Sequence, residues 1–596
     1  MIKVSDYVEK YLADHGISTV FTVVGGGAMH LNDSFGHSKR LRCVYQHHEQ
    51  ACSMAADAYA RVHQKMAAVC VTSGPGATNA LTGTIGAYMD SIPMIVISGQ
   101  AKLELTKAYS GLNVRNLGIQ DYDVTEAVKS STKYAEMLDD PNKIRIALDK
   151  AFYFALEGRP GPSWVEIPVD IQGAYVDESS LEGWQPQSNQ TVNLQESLYE
   201  ICMKMLGAKR PIIYAGNGVR IAGAVNELVK MAEKFKVPVV TCWDSIDLIP
   251  TDHPLYVGRA GLMGDRAGNF AIQNSDFLLC VGNRLNINQV GYNKDTWARE
   301  AYVVDLDIDA EEMKKHTIHL NQGVVVDAKE ALNYFCSQEF TSDDRFLDWD
   351  EQCRAWKYKY PVVNENHYKA VDKVNVYAFM DALSRRLPSG TLTVAANGSA
   401  SVVGSQSFYI KQGSRFIMNC GFSSMGYDLP AATGVAIANP NQQVICIAGD
   451  GSIQMNLQEL QTIVTYGLPV KIFVINNAGY HQIRQTQNNI FHNGLVGVGP
   501  ESGDLGFPDF EKLSAAYGIP YIRMKDNSEF DKVIKEVLNS NSYFICEVIC
   551  DTKQKFEPKS TTKKLEDGTL ISPPLEDMAP FLERAELESN MYIPLL

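Results

Sequence analysis

Two short motifs narrow the fold most: Gly449-Asp450-Gly451 and Asn476-Asn477, separated by 24 residues. Ahead of the first runs Val444-Ile445-Cys446-Ile447-Ala448, a continuous apolar stretch of the kind shown by a strand buried on both faces. After Ser452, apolar residues recur at helical spacing (Met455, Leu457, Leu460, Ile463, Val464) until Gly467-Leu468-Pro469 stops them. A second apolar run, Val470–Ile475, ends at Asn476-Asn477. The pattern predicts a β-α-β unit, expected to be right-handed. Ligands in such sheets sit outside the carboxyl ends of the strands, and both motifs fall there.

The residue types suit a diphosphate held through a hard cation. Asp450 offers an anionic oxygen, Asn477 a neutral one, and the backbone carbonyl of Gly479 a third. Two diphosphate oxygens and a water would complete the octahedron that Mg²⁺ demands. Gly449 and Gly451 let backbone come close to phosphate, and the helix start at Ser452 favours negative charge. Alone, Gly-Asp-Gly reads as a turn and Asn-Asn as a loop; their place in one β-α-β unit carries the stronger reading.

The same alternation runs through the rest of the chain, whose 596 residues call for about three or four domains. Residues 1–185 open with an amphipathic helix (Val4, Val8, Leu12). Expected strands follow at Val20–Val24, Val44-Tyr45, Ala67–Thr72, Met94–Ser98 and Ser163–Ile167, with a helix over Ala51–Val62. A polar stretch, Gln185–Asn193, reads as a linker. Residues 195–340 carry strands at Pro211–Ala215, Val239–Cys242, Phe277–Val281 and Ala301–Asp305, and a helix over Ala224–Phe235. A second connection holds Thr341-Ser342-Asp343-Asp344 and a Trp/Tyr-rich helix. Residues 373–550 add Thr391–Ala395 and Phe544–Val548 to the two strands above. The expected class is α/β, three doubly wound parallel-sheet domains. A tail, 551–596, keeps Leu575, Met578, Phe581 and Leu582 at helical spacing, which favours packing on the body over disorder.

Composition excludes several roles. The net charge of −15 argues against the nucleic-acid backbone as partner. No stretch approaches 18 uncharged apolar residues, so no membrane span is expected, and the charged start at Lys3 and Asp6 is no signal peptide. The 12 Cys are scattered without a C-x-x-C pair. Cys70, Cys280, Cys446 and Cys546 read as small core residues, and a reduced cytoplasmic setting is expected.

Further motifs connect these readings to a known family. Gly25-Gly26-Gly27, His48-Glu49-Gln50, Ala55-Ala56-Asp57-Ala58-Tyr59-Ala60-Arg61, Thr72-Ser73-Gly74-Pro75-Gly76-Ala77-Thr78-Asn79, Tyr88-Met89-Asp90-Ser91-Ile92-Pro93 and, approximately, Met425-Gly426-Tyr427-Asp428-Leu429-Pro430-Ala431-Ala432 occur in that order. With the two opening motifs, the chain resembles the thiamine-diphosphate-dependent enzymes over nearly its whole length, acetolactate synthase and its relatives above all. The resemblance implies a pyrimidine-binding, a central and a diphosphate-binding domain, in that order. It implies that Glu49 is the activating acid on the aminopyrimidine nitrogen, and that Gln120 and the backbone of Gly26 face the bound substrate. Gly25, Asn79, Gly398, Ser399, Ser423, Met425, Gly449, Gly451 and Ser452 would line the cofactor. Of these, Met425 would bend it and Ser423 would offer its carbonyl to the amino group. A homodimer or homotetramer is implied, with pyrimidine-binding and diphosphate-binding domains of different subunits facing each other.

Three departures bear on the substrate. Ile119 stands where the synthases carry Phe, Gly398-Ser399-Ala400 where they carry Gly-Gln-His, and Thr486 where they carry a Trp shaping the second-substrate pocket. Losing the indole would open the acceptor side. The reading is a decarboxylase and carboligase: an enamine formed from a small 2-keto acid, pyruvate being the expected donor, adds to a carbonyl acceptor for which a keto-sugar would fit. Acetolactate synthase proper and a 2-hydroxyacyl lyase are the alternatives; retention of Glu49, Asp450 and Asn477 argues against a catalytically silent subunit. FAD stays open here, since Arg284 in Gly282-Asn283-Arg284 would either stack on a flavin or end a strand as a solvated charge.

Overall fold

Each series of apolar runs forms one six-stranded sheet with all neighbouring strands parallel. The structure, a computed structural model, describes residues 1–63, 65–186, 194–340, 344–491, 493–564 and 570–596. In the first sheet the strands lie in the order Arg42–Tyr45, Thr19–Thr22, Ala68–Val71, Met94–Gln100, Pro162–Pro168, Tyr134–Met137. In the third the order is Arg415–Ile417, Leu392–Ala395, Val444–Gly449, Val470–Asn476, Phe544–Ile549, Tyr521–Met524. Numbered along the chain, both read 2-1-3-4-6-5. The central sheet reads 3-2-1-4-5-6: Tyr256–Arg259, Val239–Thr241, Pro211–Ala215, Phe277–Val281, Tyr302–Asp307, Gln322–Val325.

These orders fix where ligands can go. The strand order reverses between strands 1 and 3 in the outer sheets, and between 1 and 4 in the central one. The loops leaving those paired strands diverge and open a crevice. In the first sheet the crevice lies between the Gly25–Gly27 and Thr72–Asn79 loops, in the third between Gly398-Ser399 and Gly449–Ser452, and in the central sheet between Gly216–Gly218 and Gly282–Arg284.

The first and third domains share one core, in which Phe21 and Val69 belong to the same cluster as Val444 and Val470. Its centre is the contact of the Glu49–His63 and Asp428–Ala438 helices. The backbones approach so closely that a Cβ on Gly434 would lie 2.1 Å from the Ala55 carbonyl oxygen. The alanine-rich motif at 55–61 is therefore a packing surface. Its two charged members are tied in as well: Tyr427 donates to Asp57 at 2.5 Å, and Arg61 makes ion pairs with Asp57 and Asp90, both at 2.8 Å.

Several local expectations change. The first strand ends at Thr22, leaving Val24 exposed. The helix after Gly451 starts as a 3₁₀ segment, Ser452–Asn456, and becomes α-helical only at Glu459–Thr465. In the tail Leu575 and Met578 are buried and Phe581 is exposed. No helix spans these beads; the tail's helix is Arg584–Ser589. Most of Gln185–Asn193, and Thr341-Ser342-Asp343, lie outside the described residues.

Candidate active site

The third sheet's crevice is buried and already hydrogen-bonded. Asp450 follows the Val444–Gly449 strand and is 2% exposed. Its Oδ2 accepts from the Gly479 N–H at 2.7 Å and its Oδ1 from the Gly451 N–H at 2.9 Å. Burial pushes its carboxyl up to about 7; those N–H groups and the Arg484 charge offset this only in part. A buried carboxylate met by N–H donors is a hard-oxygen donor set that a divalent cation would complete. Asn477, also buried, donates from Nδ2 to Ser399 Oγ at 2.9 Å. Gly479, at φ +121°, has no room for a side chain: a Cβ there would lie 1.9 Å from the Val498 carbonyl oxygen. Gly451 is required for another reason, since its Cβ would strike the Tyr480 ring at 2.4 Å.

The Ser452 hydroxyl is already engaged within the chain. Its Oγ donates to Asp428 Oδ2 at 2.8 Å and accepts from the Gly426 N–H at 3.0 Å, bracing the turn that follows Met425. Ser423 adopts φ +51°, and its carbonyl accepts from Asn397 Nδ2. Gly398, at φ +68°, opens the Ser399–Ser407 helix.

The first sheet's crevice gathers the remaining predicted residues. Glu49 begins the Glu49–His63 helix, half-buried, and its Oε2 accepts from Asn79 Nδ2 at 2.9 Å. Its Oε1 lies beside Gly76, where a Cβ would come within 3.2 Å of it. Gly25 packs so tightly on Thr72 that a Cβ would fall 2.4 Å from the Thr72 Cβ, and Gly27 donates to Thr72 Oγ1 at 3.0 Å. Gln120, at φ +58°, rests on Gly74, while Gly26 is exposed. Glu49, Gln120, Gly25, Gly26 and Asn79 thus form one cluster, and Asp450, Asn477, Gly479, Ser399 and Gly451 another. The bonds of Glu49 given above stay within the first domain.

Three participants escaped the sequence reading: Tyr480, Asn397 and Arg484. Arg484 carried the clearest signal, a cation one turn into the helix that leaves the Asn476-Asn477 loop.

With this geometry in view, comparison with known proteins is direct. Residues 2–126 match the N-terminal thiamine pyrophosphate binding domain of thiamine pyrophosphate enzymes, 199–335 their central domain, and 396–548 their C-terminal binding domain. The chain belongs to this family and is a thiamine-diphosphate-dependent enzyme of the transferase/lyase kind. It is similar to the acetolactate synthase large subunit of Cyanidium caldarium, 30% identical over 92% of this chain and 93% of that one. It is also similar to acetolactate synthase isozyme 2 large subunit of Escherichia coli, 31% identical over 93% and 96%. Isozyme 3 of that organism is 30% identical over 94% and 96%.

Two features lie beyond the crevices. Thr486 is exposed on the His481–Ile490 helix beside Gln482, and its hydroxyl donates to the Gln482 carbonyl at 3.1 Å. In the central domain a cavity of about 370 Å³ opens at the carboxyl ends of the strands, lined by Gly216, Gly218, Gly282, Arg284 and Asp307. Arg284 there is no solvated charge. Its guanidinium makes ion pairs with Asp244 at 2.8 Å and Asp90 at 3.2 Å and donates to the Met89 carbonyl at 2.6 Å. No helix among the described residues is long and apolar enough to cross a membrane.

Proposed function

We propose that the enzyme is a carboligase that decarboxylates a small 2-keto acid, pyruvate in the first instance, and joins the remaining fragment to a carbonyl acceptor larger than a 2-keto acid, of the keto-sugar kind. The observation that carries the acceptor is Thr486: a small polar side chain, exposed beside Gln482, on the helix that leaves the metal-site loop. In the aligned position of the synthases an indole would fill that space. Bound thiamine diphosphate supplies the electron sink for decarboxylation. The residues of this chain supply the rest. Asp450, Asn477 and the Gly479 carbonyl hold Mg²⁺ and with it the diphosphate. Glu49, its carboxylate fixed by Asn79, would meet the aminopyrimidine.

Two further parts of the reading follow. The Glu49 cluster is half-exposed and bonded within its own domain, which supports a homodimer or homotetramer in which the diphosphate-binding domain of another copy covers it. The central cavity, at the reversal of a 3-2-1-4-5-6 sheet, is the position where a flavin dinucleotide would bind; the presence or absence of yellow absorbance in the purified protein decides that question. Twelve unpaired cysteines support a reducing, cytoplasmic setting.

The test is incubation with pyruvate and a panel of carbonyl acceptors, scored by product mass. The expected result is an adduct with a larger keto acceptor. Acetolactate as sole product, whatever acceptor is offered, overturns the acceptor reading.

A further inference from the structure

Side chains on an α-helix lean toward its N-terminus, so a long residue in the first turn can reach the loop that precedes the helix. Arg484 does this. From the His481–Ile490 helix its Nη1 donates to the Asn477 carbonyl at 3.0 Å and its Nη2 to the Ala478 carbonyl at 2.6 Å. The residue is 3% exposed; its two Nη groups are hydrogen-bonded as above, while its buried Nε makes no hydrogen bond and has only an ion-pair partner. Its Nε lies 3.1 Å from Glu501, whose side chain is 57% exposed.

The clamped loop is an unusual one. Ala478 has φ +56°, a left-handed conformation that is unfavourable for a non-glycine residue and needs support from its surroundings. Asn477 on one side and Gly479 on the other offer the oxygens expected to hold the cation. Two successive carbonyls are drawn toward Arg484, while the Asn477 side chain donates to Ser399 Oγ and the Gly479 carbonyl accepts from the His481 N–H, both at 2.9 Å. The pinning is local, because the same loop is braced across from the helix by Val498, whose carbonyl accepts the Tyr480 N–H at 2.7 Å.

We propose that Arg484 is a positioning residue for the metal site: it does not touch the cation, but sets the loop that does. The inference rests on the metal reading above. Partners of metal ligands typically change metal affinity by about 10–100-fold when removed. A lysine keeps the charge but replaces the planar fork with a shorter-reaching ammonium on a flexible stem, so it would hold the two carbonyls in a less fixed geometry.

The experiment uses the full-length enzyme with saturating thiamine diphosphate and Mn²⁺ as probe, free Mn²⁺ being read by electron paramagnetic resonance. Thermal unfolding of the metal-free proteins is recorded in parallel. Arg484→Met is expected to weaken Mn²⁺ binding about tenfold or more, with turnover recovering at excess Mn²⁺. Arg484→Lys should fall between it and the parent. Glu501→Gln should stay within about twofold, because its side chain is exposed. Parent-like Mn²⁺ affinity in folded Arg484→Met overturns the proposal, as does a loss of activity that excess metal does not restore. If Arg484→Met does not fold, Arg484→Lys decides: parent-like affinity there overturns it. Failure of the parent itself to bind Mn²⁺ would instead sink the metal reading.

Discussion

The first and third sheets have the same strand order and the same kind of crevice, yet they furnish it in opposite ways. In the third, Asp450 and Asn477 are buried and their hydrogen bonds are already made. In the first, Glu49 and Gln120 stand half-buried or exposed on a floor of glycines. A buried, pre-bonded crevice suits a group that must be held still, as the proposed diphosphate and cation would be. An open one suits a group that meets its partner only when another surface arrives. The difference separates binding from activation, and substitutions should separate them too.

The largest effects should come from the two acids. Asp450→Asn removes the one carboxylate among the protein ligands proposed for the cation, so retention of metal and thiamine diphosphate should drop about a hundredfold or more, and turnover with it. Glu49→Gln should lower turnover by about 10²–10⁴-fold while thiamine diphosphate still binds, as measured by equilibrium dialysis. Should Glu49→Gln lose the cofactor as thoroughly as Asp450→Asn, the division between the two crevices is wrong.

An effect of intermediate size concerns pH. The Asp450 carboxyl is pushed up to about 7 by burial. Below that value the metal-free enzyme carries it protonated, and a cation needs the carboxylate. Apparent Mn²⁺ affinity should therefore fall about tenfold per pH unit below 7 and level off above it. The metal-free protein should show the opposite trend: its stability, relative to the unfolded chain with an ordinary carboxyl, declines as pH rises from about 4 toward 7. Flat Mn²⁺ affinity between pH 5 and 7 would contradict this.

The outer strands show why parts of the fold could not be read from the sequence. Tyr134–Met137, Tyr256–Arg259, Gln322–Val325, Arg415–Ile417 and Tyr521–Met524 were not expected, and each is a sheet edge. An edge strand lacks a neighbour on one side and need not be a continuous apolar run. Tyr134–Met137 is half-buried throughout, and Gln322–Val325 buries only Val324. The inner strands, buried on both faces, declared themselves. The site divides similarly. Gly451 and Asp450 were legible because two motifs end successive strands of one β-α-β unit, a pairing that a mere turn does not need. Arg484 was not, because nothing in its spacing tells a carbonyl clamp from a solvated helix charge.

The smallest effect tests how Ser452 acts. Sequence reasoning placed it among the cofactor contacts, whereas its hydroxyl bridges Asp428 and Gly426. Burial already pushes the Asp428 carboxyl up to about 6, with the Ser452 hydroxyl and the Leu429 N–H holding it down. Ser452→Ala leaves that carboxylate short of a donor and the Gly426 N–H short of an acceptor. The expected cost is about 1–3 kcal/mol of stability, seen as a lower unfolding temperature, with thiamine diphosphate affinity changed by no more than about threefold. The reverse pattern, unchanged stability and tenfold weaker cofactor binding, would mean that the hydroxyl turns to the diphosphate when the crevice fills. The third domain's crevice would then be less pre-bonded than its geometry indicates, and closer in kind to the first.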